Sequence, residues 1–489
     1  MVVLFLVAII FLAILRVALR SDQLPRNIPR IPKWLSIYAN YSGMPRITFF
    51  NTHVRELAEE RGAVLLWHIE TWSVNITEPE YLLQVFRSEK IFAKAGSYQK
   101  FPWGVAGAVF GENIIDSTGQ TWKQQRDVLQ PAIKRHFNID YMKQKSLELR
   151  ARLWQQHKAQ NIDSVRGVKI DELVKQWALS ICCHYFMGID IEASPETNHR
   201  LLRLLMDHHI AEPPGIIHLF PVLQRVPWLT PPTRKAFRLV DEFEKAVLEL
   251  ARLADHRDTD RNSIMGRLKS ALGEGTISEF QYRSNLKQML LAGHEEVESV
   301  LLSALVAMAK NPQLQSALQA EMSSLSPSTY TPPDLDKLPM LLAVILETLR
   351  LYPPFPWLVN RRTTQRVCLG GSIVLPAGTV VGWNSYAVHT DARTWGPDAL
   401  EFRPGRWGTQ IAEINALFRL KQARATFIPF STHSRMCLGM QFALMQLKIG
   451  LYELLRELRW SVSDETTKLR KGPLLIPEHT RFHLAVRKL

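Results

Sequence analysis

The sequence predicts a mainly α-helical protein with a small β-sheet portion, carried as one large domain behind an N-terminal membrane anchor. Three observations predict it. Long stretches repeat apolar residues at helical spacing, strand signals are few, and no composition break or internal repeat is visible after about Trp34. Hydrophobic residues make up 46% and charged residues 22% of the 489, a balance that excludes a disordered chain. Four cysteines, Cys182, Cys183, Cys368 and Cys437, are too few for a disulfide-built secreted scaffold. The net charge of +14 suits an anionic membrane surface or an acidic protein partner. Lys and Arg are spread along the chain with no binding module, so no nucleic-acid role is expected.

Residues 1–20 read as a transmembrane signal-anchor helix. Val2 to Leu15 is unbroken apolar sequence, and Val17 to Leu19 extend it past Arg16. At roughly 1.5 Å per residue this run spans about 27 Å, a thin bilayer core. Arg16, Arg20, Arg26 and Arg30 all lie at its end or beyond, which puts the body on the cytosolic side. A cleaved signal peptide is the rival, but no small-x-small cleavage site follows. Residues 21–33 form a proline-rich basic linker, stiffened by Pro25, Pro29 and Pro32. Residues 34–489 form the body.

Within the body, helical patterns cover Val240 to Leu253, Phe280 to Lys310, Pro312 to Leu325, Leu338 to Leu351 and Leu438 to Leu458. Asn311 is placed to cap the third of these, with Pro312 at its first position. Pro353-Pro354 ends the fourth. Ser372 to Leu375 and Thr379 to Trp383 flank Pro376-Ala377-Gly378 and read as a hairpin. Cys182-Cys183-His184 and His208-His209 are adjacent residues that point about 100° apart on a helix, so core packing or a helix surface is expected of them and no metal site.

The segment Phe430 to Gly439 carries the chemistry. Cys437 directly precedes a strongly helical stretch, where backbone N–H groups and the helix dipole favour a thiolate. Arg435 adds a positive charge that can hold an anionic group, and Gly439 leaves room for a flat ligand. This pattern resembles the haem-binding signature of the cytochrome P450 superfamily, Phe-x-x-Gly-x-Arg-x-Cys-x-Gly. Phe430, Arg435, Cys437 and Gly439 match it; His433 stands where the family has Gly. The resemblance makes Cys437 the axial ligand of haem b (iron protoporphyrin IX). His433 as the ligand instead would need strained geometry.

Further signatures follow the family's order. Glu347-Thr-Leu-Arg350 is similar to its Glu-x-x-Arg motif, with both side chains on one helical face. Phe402 to Trp407 resembles the segment that completes its buried ion-pair network through Arg406, where a planar fork suits better than Lys. Trp122-Lys-Gln-Gln-Arg126 matches Trp-x-x-x-Arg, one turn apart, and the resemblance assigns both to haem propionates. Arg361 sits where the family often places another propionate donor, with neighbouring Arg362 as its rival. Arg435 is the fourth cofactor-binding residue.

The long helix holds Leu291-Ala292-Gly293-His294-Glu295-Glu296-Val297. Ala292, Gly293 and Glu295 match the family's oxygen-side motif, and Gly293 lowers helix propensity by about 1 kcal/mol, which suits a local distortion. Glu296 replaces the expected Thr, whose hydroxyl serves proton delivery. Four readings are open: Glu296 delivers protons, the substrate's own polar group does so, the reaction inserts no oxygen, or Glu296 turns away into a polar network. The chain also resembles the fungal dityrosine-forming type, which couples N-formyl-tyrosine units across phenol rings. The likeness lies in Ala292 to Glu295, Val359-Asn360-Arg361 and Thr394 to Gly408. Phenol coupling inserts no oxygen, so the missing Thr fits.

The resemblance thus implies a haem-thiolate oxidoreductase, a monooxygenase or oxidase. It would use dioxygen on a small organic substrate, in fungal secondary metabolism or dityrosine-like aromatic coupling. A haem-binding sensor or carrier without turnover is the non-enzyme alternative. No nucleotide-binding stretch follows Cys437, so electrons are expected from NADPH through a separate cytochrome P450 reductase. The expected location is the endoplasmic reticulum membrane, with the catalytic domain cytosolic.

Overall fold

The computed structural model describes residues 24–42, 44–69, 71–159, 167–206, 221–255, 262–326, 329–462, 468–469, 474–475, 477–478 and 481–486. The predicted anchor, residues 1–20, lies outside them, as do His208 and His209. Among the described residues no helix is long and apolar enough to cross a membrane. The chain divides into two compact units, each assembled from separate segments, so no composition break marks a boundary. The first comprises Met1–Trp122, Arg203–Lys245 and Trp357–Asn384; the second comprises Lys123–Leu202, Ala246–Pro356 and Ser385–Leu489.

The first unit holds a five-stranded sheet. Its strands are β1 (Ala63–His68), β2 (Thr71–Ile76), β3 (Phe92–Lys94), β4 (Trp357–Thr363) and β5 (Val380–Asn384). Their spatial order is β1-β2-β5-β4-β3. All pairs are antiparallel except β2 with β5. The expected hairpin does not form. Ile373–Leu375 pairs instead with Val367–Leu369, joined through Gly370 and Gly371, both at positive φ. β5 is buried along its whole length. A strand so apolar gains most between two neighbours, and it inserts between β2 and β4.

The second unit is mainly helical. It contains α2 (Asp140–Ala159), α3 (Asp171–Cys182), α4 (Glu279–Ala309), α5 (Pro312–Met322), α6 (Pro339–Leu351), α7 (Ile411–Ala423) and α8 (Met440–Leu455), and α1 (Gly119–Ile133) runs into it from Trp122. Ser278 and Gln281 close a capping box on α4, and the Asn311 side chain accepts from the Leu314 N–H at the start of α5, as its position predicted. α6 ends two residues before Pro353, which cannot continue it. α8 is shorter than its apolar pattern at both ends, because Gly439 caps it and Leu458 already begins a strand. α3 packs on α4, and between them Lys175 and Glu298 form a buried ion pair at 3.5 Å.

A polar network in this unit sets the position of the Cys437 loop. On α6, Glu347 and Arg350 are both fully buried. Arg350 donates Nε and Nη2 to the two Glu347 carboxylate oxygens, each at 2.8 Å. Glu347 also accepts from the Arg403 N–H, Arg406 Nε and Trp407 Nε1 at 2.9 to 3.0 Å. Arg350 donates onward to the carbonyls of His389, Ala399 and Glu401. The expected partnership of Glu347, Arg350 and Arg406 is therefore present.

His389 carries the network to the loop, a part that no sequence signal announced. Its Nδ1 lies 3.2 Å from the Arg350 carbonyl, and its Nε2 accepts the Ile428 N–H at 2.8 Å. Burial, and then the Arg350 charge, push its pKa down to about 3. The ring is neutral in the folded protein, so an unfolded chain binds more protons below the ordinary value of about 6.5. The stabilisation is fully present above pH 6.5 and is lost toward pH 3, by about 1.4 kcal/mol per pH unit. The denaturant midpoint of the wild-type protein should therefore fall as pH drops from 6.5 to 4.5. His389→Gln, which keeps an acceptor for Ile428 and cannot titrate, should show a shallower fall. Equal slopes for the two proteins would assign the acid sensitivity elsewhere.

Candidate active site

The loop before α8 is built from below. Phe427 packs its ring against Trp407 at 4.9 Å and His389 at 5.1 Å, so the network under α6 continues into the loop as stacked rings. Ile428 is held by His389. The Cys437 N–H donates to the Phe430 carbonyl at 2.9 Å, closing the loop into a tight bow. A single 3₁₀ turn, His433–Arg435, forms its tip. His433 adopts φ +59, and Ser431 φ +57. The backbone keeps the left-handed geometry that suits glycine, and His433 bears the strain of an L residue there.

Cys437 sits as its position before α8 predicted, with the N–H groups of Gly439 and Met440 directed at its sulfur and lowering its pKa. They do not prevail. Burial above all pushes the thiol up to about 11, outweighing the helix end that favours a thiolate. The cysteine keeps accessible surface despite this crowding, as a side chain lining a recess does. Gly439 is informative here. Its φ of −84° is open to any residue, and an added Cβ would meet only Cys437 Sγ, at 3.9 Å. Protein packing does not require glycine; a flat group lying against the sulfur does. The loop therefore fits a haem whose iron takes Sγ, and coordination would remove the thiol proton.

α4 runs regularly through Gly293, with no break or bulge. The expected distortion is absent, and Gly293 serves packing instead. A Cβ there would lie 2.4 Å from Cys182 Sγ and 2.9 Å from the Phe186 ring. Cys182 and Cys183 are fully buried, and the Cys182 thiol donates to the Met289 carbonyl at 3.7 Å, the packing role expected of them. Ala292, Gly293, Glu295 and Glu296 are all half-buried on α4. The Glu296 Oε2 atom is inaccessible and has no hydrogen-bond partner among the described residues. Burial, and then the Glu295 charge, raise its pKa well above the ordinary carboxylate value, which favours its neutral form. Its charge, were it ionised, would act on both Cys437 and Cys182, so the carboxyl faces the interior shared by α4 and the cysteine loop.

The other expected cofactor residues are distributed. Arg435 lies on the turn two residues from Cys437. Trp122 and Arg126 share α1, one turn apart, and Arg126 Nε donates to Gln130 at 2.8 Å. Arg361 belongs to the first unit, on β4, and donates Nη1 to the Phe92 carbonyl at 3.1 Å. Its side chain is 1% exposed while Arg362 points to solvent, so the interior position falls to Arg361.

A thiol set at a helix N-terminus in a mainly helical unit, facing a long helix, with room for a flat ligand at Gly439, fits the haem-thiolate oxidoreductase class. The model of the cytochrome P450 family matches residues 29–484, and the chain belongs to that family. It is 35% identical to cytochrome P450 monooxygenase xanG of Aspergillus fumigatus, over 92% of this chain and 84% of the relative. It is 28% identical to cytochrome P450-DIT2 of Saccharomyces cerevisiae, over 90% of this chain and 89% of the relative. The crystal structure of the cytochrome P450DA heme domain superposes with TM-score 0.74 at 19% identity, covering 94% of this chain and 98% of that one. The protein is thus a P450 oxidoreductase with haem as its cofactor, and the sensor alternative has no support among these relatives.

Two substitutions check the local geometry. His433→Gly should stabilise the holoprotein by about 1 kcal/mol, read as a higher denaturant midpoint at unchanged slope, because glycine adopts φ +59 without strain. Gly293→Ala should cost about 1–3 kcal/mol by overpacking, although alanine is the better helix former. Adding Cys182→Ala to that variant should recover part of the loss.

Proposed function

We propose that this P450 oxidises a small aromatic substrate and couples phenols rather than inserting oxygen. The observation that carries this reading is the buried Glu296 carboxyl, its pKa raised and its Oε2 without a partner among the described residues, where the family has a hydroxyl. The resemblance to the dityrosine-forming type supports it. Haem b, when bound, supplies dioxygen activation, and a thiolate ligand favours O–O cleavage. Cys437 would hold the iron, with the Gly439 and Met440 N–H groups damping charge on its sulfur. Trp122, Arg126, Arg361 and Arg435 would pair with the propionates.

Glu296 would keep a proton on its carboxyl and donate it to a phenol or amide oxygen of the substrate, holding that group toward the reaction centre. In coupling, each of two phenols gives up one hydrogen atom and one new bond joins the rings. Those two hydrogens, with two electrons from NADPH and two protons, reduce one dioxygen to two waters. The electrons would come through a separate NADPH-dependent reductase. Residues 1–20 would anchor the chain in the endoplasmic reticulum membrane, and residues 21–33 would link that anchor to a cytosolic catalytic domain at 34–489.

The primary test is spectroscopic. Cys437→Ser should lose the strongly red-shifted Soret band of the ferrous carbon monoxide complex; a variant that keeps it with full haem would remove Cys437 as ligand. Glu296→Ala should keep that spectrum but form less product per NADPH consumed. Glu296→Thr, restoring the common family residue, should shift product from coupled toward hydroxylated. Should both variants match the wild type in rate, coupling efficiency and product, Glu296 is structural.

A further inference from the structure

Two contacts, about two turns of α3 apart, define how α3 lies on α4. Near the end of α3, the Cys182 thiol donates to the Met289 carbonyl at 3.7 Å, and Gly293 leaves room for the sulfur. Near its start, Lys175 Nζ lies 3.5 Å from Glu298 Oε2. The two helices therefore run antiparallel, Cys182 beside 289–293 and Lys175 beside 298. Both charged side chains are buried. Among the described residues Lys175 Nζ makes no hydrogen bond, and Glu298 is its counter-charge.

Such a pair is a poor source of stability. Desolvating both ions offsets much of their attraction, and apolar residues of similar volume hold two helices together as well or better. What a buried pair does supply is a fixed partner, since an apolar face tolerates a helix that rolls or slides and an interior charge does not. The roll of α4 decides where Glu296 points. At about 100° per residue, Glu298 and Glu296 lie about 160° apart round the helix axis. Holding Glu298 against α3 turns Glu296 to the side of α4 remote from Lys175, into the interior that it shares with the cysteine loop.

We propose that Lys175 and Glu298 are positioning residues for the reaction: their ion pair locks the roll of α4 and so holds the Glu296 carboxyl toward the reaction centre. Both act through α4. The proposal rests on the reading of Glu296 as a group of the active site, and it names the contact that keeps Glu296 there.

The test uses haem-loaded full-length protein as its ferrous carbon monoxide complex. The infrared C–O stretching band is the readout, because its frequency responds to charges and donors close to it. Glu296→Ala should shift that band and supplies the reference position. Lys175→Met alone leaves the Glu298 charge buried and unmet and should lower the denaturant midpoint, so the informative variant is the double one, Lys175→Met with Glu298→Leu. That variant should match or exceed the wild-type midpoint and yet move a share of the band to the Glu296→Ala position. The exchange of Lys175→Glu with Glu298→Lys restores a pair and should return that share to the wild-type position. A band that Glu296→Ala shifts and the apolar double variant leaves in place refutes the positioning role and leaves the reading of Glu296 standing. A shift that the exchange does not reverse belongs to altered packing and refutes the role as well. A band that Glu296→Ala itself leaves in place overturns the reading of Glu296 and this proposal with it.

Discussion

Glu347 has no access to water, and its charge is tolerable only because every direction of approach brings a donor. Two come from Arg350, one from the Arg403 amide, one from Arg406 and one from the Trp407 indole. Removing one partner from such a cluster leaves a buried charge unmet, at a cost of about 3–5 kcal/mol. The carboxylate thereby fixes where α6, the 395–407 stretch and the 427–430 stretch meet. From there the order passes through the Trp407 and Phe427 rings and the His389 imidazole into the cysteine loop. The loop bears strained backbone at Ser431 and His433 and holds its shape because this foundation is rigid.

That rigidity matters because the electrostatics of the loop are opposed. The amides of Gly439 and Met440 lower the Cys437 pKa, while burial raises it by more. The protein alone favours a thiol. A metal ion would reverse the balance, since a coordinating thiol gives up its proton. The same interior acts on Glu296, whose buried carboxyl has its pKa raised. For Glu296 the cause is burial, and the packing of α4 against its neighbours provides it. Gly293 permits that packing by giving its volume to Cys182 and Phe186.

In the first unit the organising feature is a single extra residue. The bulge at Asn360 changes which residues of β4 face inward, burying Arg361 and leaving Arg362 in solvent. Alternation along the strand puts the two adjacent arginines on opposite faces, and the register sets which of them lies inside. The same slip brings the carbonyl of Val359 to Lys100, on a segment more than 250 residues away in sequence.

Features that depend on neighbours within a turn were legible in the amino-acid sequence. The Asn311 cap, the end of α6 before Pro353, the Glu347 and Arg350 pairing and the place of Cys437 before α8 all follow from spacing of three or four residues, where chain geometry leaves little choice. The family resemblance rested on these same local patterns. Features that depend on partner choice between distant segments were not legible. Ser372 to Trp383 carries a good hairpin pattern, yet its second half joins the large sheet because burial on both sides outweighs the short turn. The left-handed φ at His433, the packing purpose of Gly293, the link through His389 and the bond from Lys100 to the Val359 carbonyl were likewise decided in three dimensions. Each is a matter of what the rest of the chain places within about 4 Å of a residue, the range over which packing and hydrogen bonds act.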